Sequence, residues 1–175
     1  EAVDPDTGEL YQPEDFNVVS YEEAGVGMLQ DSIWTDQERL EDPEFADIAT
    51  RFVAASIEGW AWTRDNPEEA ANIVVESGSQ LGASHQLWMV NEVNKLIWPA
   101  NSGVGFIEEE AWNRTAELAE NTPNLEGATV ITAPPTEGAY TNQIIEGAHA
   151  LLGESVDIFG DSFEPIEVTL NEGGA

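Results

Sequence analysis

Asp42-Pro43-Glu44-Phe45-Ala46-Asp47-Ile48-Ala49-Thr50-Arg51-Phe52-Val53-Ala54-Ala55-Ser56-Ile57-Glu58-Gly59-Trp60 reads as one helix. Asp42 is a strong N-cap residue, and Pro43 suits a first turn, where a missing N–H costs nothing. Phe45, Ile48, Ala49, Phe52, Val53, Ser56, Gly59 and Trp60 recur at a spacing of about 3.6 residues and predict an apolar or small stripe along one face. Asn66-Pro67 repeats the cap-plus-proline signal and starts a shorter helix that stops at Gly78. Ser84 opens a third helix, carrying Leu87, Trp88, Asn91, Asn94 and Lys95 and closed by Pro99. A fourth begins near Glu108, with Ala111, Thr115 and Leu118 on its stripe and Trp112 beside it, and ends at Thr122-Pro123-Asn124. After the stiff linker Ala133-Pro134-Pro135-Thr136, a fifth is predicted from about Ala139 to Leu152.

Upstream of the helices the pattern changes. Asp4-Pro5-Asp6-Thr7-Gly8 has the composition of a tight turn. Phe16 to Tyr21 and Met28 to Trp34 read as two strands, separated by the breaker Gly25-Val26-Gly27. Two strands cannot form a sheet that covers five helices, so either the chain is mostly helical or, the better fit, it is a helix-dominated α/β portion whose strands complete a sheet begun elsewhere. Residues 153–175 are expected to be an extended acidic tail.

Composition narrows the partners. There are 35 Asp and Glu against 5 Lys and Arg, a formal net charge of -30. No basic stripe exists to displace counterions from phosphates, which argues against nucleic acid, and anionic membranes are disfavoured likewise. Lys95 is the sole lysine, and so acidic a chain fits a protein working in molar salt; an ordinary acidic extracellular protein is the plainer alternative. The absence of Cys removes disulfides, thiolate metal sites and thiol nucleophiles. His85 and His149 alone cannot make a histidine zinc motif. Glu1-Ala2-Val3-Asp4 is no signal peptide, so any targeting segment is expected upstream.

Several runs, in order, resemble one family. They include Asp4 to Tyr11, Gly27-Met28-Leu29-Gln30-Asp31, Glu58 to Glu69, Leu81 to Pro99, Gly103-Val104-Gly105-Phe106 and Pro135 to Tyr140, together spanning residues 4–152. The set resembles the solute-binding proteins of ABC importers that are related to the thiamine-pyrimidine-precursor synthase. This resemblance implies a type II periplasmic-binding-protein fold: two α/β lobes joined by crossing strands, with the ligand in the cleft. Residues 1–152 would be the C-terminal portion of the binding domain. An N-terminal half of the same protein would hold the first lobe and most ligand contacts, and the complete protein would be a monomer. The resemblance further implies an extracytoplasmic, lipid-anchored carrier that delivers a small organic solute to an ABC permease. Synthase relatives carry a Cys-rich segment and a cofactor-attaching Lys in the other half and this sequence has no Cys, so the resemblance argues against catalysis, with a precursor synthase as the enzymatic rival. A free-standing helical interaction module is a third reading. No cofactor, metal or catalytic residue is expected.

The best binding candidates lie in the turn after the first strand: Gly25, Met28, Gln30 and Asp31. Glycines permit close backbone approach, and Asp31 could accept hydrogen bonds from an aminopyrimidine. The competing reading makes the glycines a hinge and Asp31 a strand cap. His85, Gln86, Trp88, Asn91 and Asn94 share helical spacing; they either face a ligand or are buried polar groups satisfied within the fold. Of Trp60, Trp62, Trp88, Trp98 and Trp112, most should be core and one could line a cleft.

Overall fold

The structure is a computed structural model describing residues 3–171 and 174. Glu1 and Ala2 of the lead-in, and Glu172, Gly173 and Ala175 of the acidic tail, lie outside the described residues. Among the described residues six α-helices follow in order: α1 (Gln37–Leu40), α2 (Pro43–Asp65), α3 (Pro67–Glu76), α4 (Ala83–Ile97), α5 (Glu109–Asn121) and α6 (Gln143–Leu152). The helix-rich character expected from the stripes is present.

The expected sheet is not. Among the described residues there is no strand, only an isolated bridge between Val3 and Leu10. That bridge closes the predicted Asp4–Gly8 turn, where Asp4 Oδ1 accepts the Asp6 amide at 2.8 Å. Phe16–Tyr21 and Met28–Trp34, read as strands, run without ladder partners, and apart from the half-buried Leu29 their apolar side chains stay out, Val18 80% and Trp34 89% exposed. The physical reason is simple: a strand is defined by a neighbour, and the chain offers these segments none.

Capping chemistry behaves as the sequence dictates. Asp42 Oδ1 accepts from the Glu44 amide at 3.0 Å and starts α2, and α4 stops just before Trp98-Pro99. Asn66 differs from expectation. Its side chain does not cap α3; its Nδ2 donates back to the Trp62 carbonyl at 2.9 Å, closing α2 instead. The fifth predicted helix begins at Gln143 rather than Ala139. Asn142 explains the late start, because its carboxamide pairs with both backbone groups of Ile107 and pins the preceding segment to the α5 entrance.

Two helix pairs form the body, α2 with α6 and α3 with α4. Ala54, Ile57, Ile145 and Ala148 are buried between the first pair, joined by Val53, Val104, Phe106, Leu152 and Ile158. The buried face of α2 is therefore Ala54, Ile57 and Ala61, rotated from the predicted stripe. Small residues explain the rotation. Gly147 and Ala148 let α6 come so close that a Cβ on Gly147 would stand 3.2 Å from Thr50, and only small partners fit such a crossing. Of the predicted stripe Val53 still packs against this core, but Phe52, 60% exposed, Ile48 and Trp60 are left outside.

Residues 156–171 contain no helix; besides the Ala100 and Val104 amides, which donate to the Phe159 and Ile158 carbonyls at 2.8 and 2.9 Å, side chains fasten them at three points. Asn91 accepts the Ile166 amide at 2.9 Å and donates to its carbonyl at 3.0 Å, so one carboxamide does the work of a strand neighbour. Ser84 Oγ accepts the Asn171 amide. The third point is Arg64, whose side chain is 6% exposed. It grips Asp65 in a fork at 2.7 and 3.0 Å, donates to the Asp157 carbonyl at 3.0 Å and lies 4.5 Å above the Trp98 ring. Gly160 closes against this group at φ 65, where a Cβ would meet Trp98 at 2.6 Å; no other residue fits there.

Asp157 makes the latch sensitive to acid. Its carboxylate accepts from the Gly160 and Phe159 amides, both at 3.0 Å. The Gly160 amide foremost, then the Phe159 amide and Arg64, hold its pKa below the ordinary 3.8 against the opposing effect of burial. A depressed carboxylate stabilises the fold fully above its unfolded-state pKa and loses that contribution as pH falls through the folded-state value. Urea denaturation of wild type and Asp157→Asn should therefore show a stability difference that is constant above pH 3.8 and shrinks below it.

Candidate functional site

The segment carrying Gly25, Met28, Gln30 and Asp31 lies along α5. A turn from Ser20 delivers it, with the Val26 amide donating to the Tyr21 carbonyl and Gly25 at φ 73. Arg114 Nε donates to the Gly27 carbonyl at 2.8 Å, and its Nη2 reaches the Glu22 carboxylate at 3.4 Å. The Glu22 carboxylate lies over the Gly27 α-carbon, and this exposed side chain would have to swing aside for a larger residue there. Thr115 Oγ1 accepts the Leu29 amide at 2.8 Å and donates to the Ala111 carbonyl. The mid-helix pair Arg114-Thr115 thus docks the segment. Neither residue stood out as such in the sequence, where Arg114 was simply one of the few cations.

Of the four candidates, Gly25 lines an open groove of about 750 Å³ with Glu108, Glu109, Glu110, Asn113, Arg114 and Glu117. Its charge excludes anions, and its one guanidinium is already engaged. Met28, Gln30 and Asp31 are exposed and line neither this groove nor the cleft described next; Asp31 adopts φ 54, a left-handed conformation that Asp tolerates better than most residues.

A second concavity of about 380 Å³ opens between α2, α3 and α4. Trp60 and Trp62 come from α2, Ala70, Ile73 and Val74 from α3, and Met89, Val93 and Asn94 from α4. Trp60 and Trp62 are 43% and 38% exposed. The other tryptophans named in the sequence line neither concavity, and Trp88 is itself exposed. Trp98 is buried beneath Arg64, Trp112 stacks on Tyr140 at 4.6 Å, and Trp88 lies 5.9 Å from the His85 ring. The polar face of α4 divides: Asn91 is satisfied by Ile166, whereas Asn94 is 1% exposed and its Oδ1 has no hydrogen-bond partner.

With that geometry in view, one comparison speaks. Over 108 residues, 58% of this chain, the sequence is 28% identical to the riboflavin-binding protein RibY of Chloroflexus aurantiacus. The chain is similar to a small-molecule binding protein. The match spans 29% of that relative's length. No family model matches the chain, and no solved structure matches it. Among the described residues no group of three or more His, Cys, Asp and Glu could hold a metal ion, and no helix is long and apolar enough to cross a membrane.

Proposed function

We propose that this chain is the C-terminal portion of an extracytoplasmic solute-binding protein of an ABC importer, holding a flavin, a pyrimidine or a related nitrogen heterocycle without transforming it. The observation that carries this reading is the identity to the riboflavin-binding relative over 108 residues. Two features of the fold support it. Ile48, Phe52 and Trp60 on α2 and Phe16, Val18, Val19, Tyr21, Ile33 and Trp34 in the segments without ladder partners expose apolar side chains, as surfaces would that meet a companion half in a type II, two-lobed protein. The mechanism is closure of two lobes around the solute, with the closed form recognised by the permease. Gly25, Met28, Gln30 and Asp31 would then sit where the chain passes between lobes.

A thermal-shift screen of the full-length protein in molar KCl tests the reading, with riboflavin, aminopyrimidines and a sulfonate as probes. A binder at a hundredfold excess over Kd stabilises the native state by about 2.7 kcal/mol, a plainly visible rise in Tm. Stabilisation by at least one heterocycle is expected, with the compound recovered unchanged. Silence across the panel would remove the carrier reading, and recovery of a converted product would replace it with the enzymatic one.

A further inference from the structure

The segment after α6 has two parts, held by different means. Its root, residues 156–160, is seated by backbone bonds and by a buried cation. The Ala100 and Val104 amides donate to the Phe159 and Ile158 carbonyls, Arg64 donates to the Asp157 carbonyl, and Gly160 is buried against the Trp98 ring. The run that follows, residues 161–171, is anchored differently. Among the described residues no backbone-to-backbone hydrogen bond ties 164–170 to another part of the chain, and only Phe163, Ile166 and Val168 are half-buried. Two side chains of α4 clasp it instead. Asn91 pairs with both backbone groups of Ile166, and Ser84 Oγ accepts the Asn171 amide at 3.0 Å. They lie seven residues apart, about two helical turns, and so stand in line on one face of α4. Between root and clasped run sits a joint. Gly160 takes φ 65, and the Phe163 amide donates to its carbonyl at 2.9 Å across the exposed Asp161 and Ser162.

We infer that residues 161–171 are a strap that lifts from α4 as one unit about this joint, while the root and the helices keep their places. Hydrogen bonds to a carboxamide and a hydroxyl are neutral, and water replaces most of their worth when they open. Little apolar surface opposes the opening, because most side chains of the strap already face solvent. The clasps are coupled through the chain between them. Ordering an extended run costs conformational entropy at every residue, so a single remaining clasp would have to hold the whole of it. Both clasps bind backbone rather than side chains. Lifting therefore leaves Asn91 and Ser84 free to pair with water or with another extended chain. The inference concerns this segment alone and holds whether or not the chain binds a solute.

Native-state amide hydrogen exchange of the full chain in molar KCl tests this, on wild type, Ser84→Ala and Asn91→Leu. The Ile166 and Asn171 amides report the strap, Ala100 and Val104 the root, and Trp98 and Ile57 the helices. In wild type the two strap amides are expected to share one protection factor, at least about a hundredfold below that of Ile57. Each substitution is then read at the clasp it leaves intact. Ser84→Ala should speed exchange of the Ile166 amide about tenfold, and Asn91→Leu that of the Asn171 amide by about the same factor or more, the worth of one or two hydrogen bonds. Root and helix amides should keep their wild-type rates. Substitutions that speed only the amide each had held would show two independent clasps and overturn the inference. Strap amides as slow as Ile57, or root and helix amides speeded along with them, would overturn it as well, by making the segment part of the global unfolding unit. Far-UV circular dichroism reports whether Asn91→Leu folds; should it not, the response of Ile166 to Ser84→Ala decides the matter alone.

Discussion

On dialysis from molar KCl into about 0.01 M salt, the protein loses its helical circular dichroism. Charge and screening lead to this expectation directly. The net charge is -30, and the few cations are already committed. Arg51 pairs with Asp47, Arg64 with Asp65 and Asp157, Lys95 with Glu92 and Arg114 with Glu22, while Arg39 stacks on Phe45 at 3.9 Å. The remaining carboxylates repel one another through solvent. The Debye length grows from about 3 Å at 1 M to about 30 Å at 0.01 M, so that repulsion comes to act across the whole molecule. The core opposing it is small: among the described residues eight hydrophobic ones are buried, five of them alanines. Domains are stable by only about 5–15 kcal/mol, and losing about 5 lowers Tm by roughly 10–20 °C at this size. Helical signal unchanged between the two salts would show that the acidic surface is tolerated without screening.

Arg64→Ala should destabilise the fold by about 2–3 kcal/mol in urea denaturation at molar salt. Removing one partner of a buried ion pair costs about 3–5 kcal/mol, and here Asp65 and Asp157 are half exposed and regain water, which reduces the loss. The Asp157 carbonyl loses its donor, and the Trp98 ring loses its cation. The Asp65 hydrogen bond raises the Arg64 pKa further above its ordinary value, so the guanidinium is charged at any working pH. Arg64→Lys keeps that charge but not the planar fork that spans Asp65 and Asp157, and should fall between wild type and alanine. Equal stability of Arg64→Ala and wild type would mean that the segment after Leu152 is held without this latch.

These cases mark what was legible in advance. Local chemistry was: Asp42-Pro43, Gly78, Pro99 and the early glutamates of α5 bound their helices within a residue or two, because caps and breakers act over one turn. Long-range choices were not. The stripe from Phe45 to Trp60 is a sound helical face, yet the close α2–α6 crossing selects the neighbouring small face, a choice made by Gly147 about a hundred residues later. The segments 16–21 and 28–34 have strand-like residues, but pairing belongs to two segments and cannot be read from one. On α4, sequence placed Asn91 and Asn94 together on a polar face without separating them. Only the docking of Ile166 shows that Asn91 is spent on structure while Asn94 retains an unmet acceptor.

Equilibrium dialysis of riboflavin against the full-length protein in molar KCl reaches the central claim most directly. If the chain belongs to a solute trap for nitrogen heterocycles, the protein compartment takes up ligand to a plateau of one per molecule, and excess unlabelled heterocycle releases it. Equal concentrations on both sides of the membrane, for riboflavin and for aminopyrimidines alike, would contradict it.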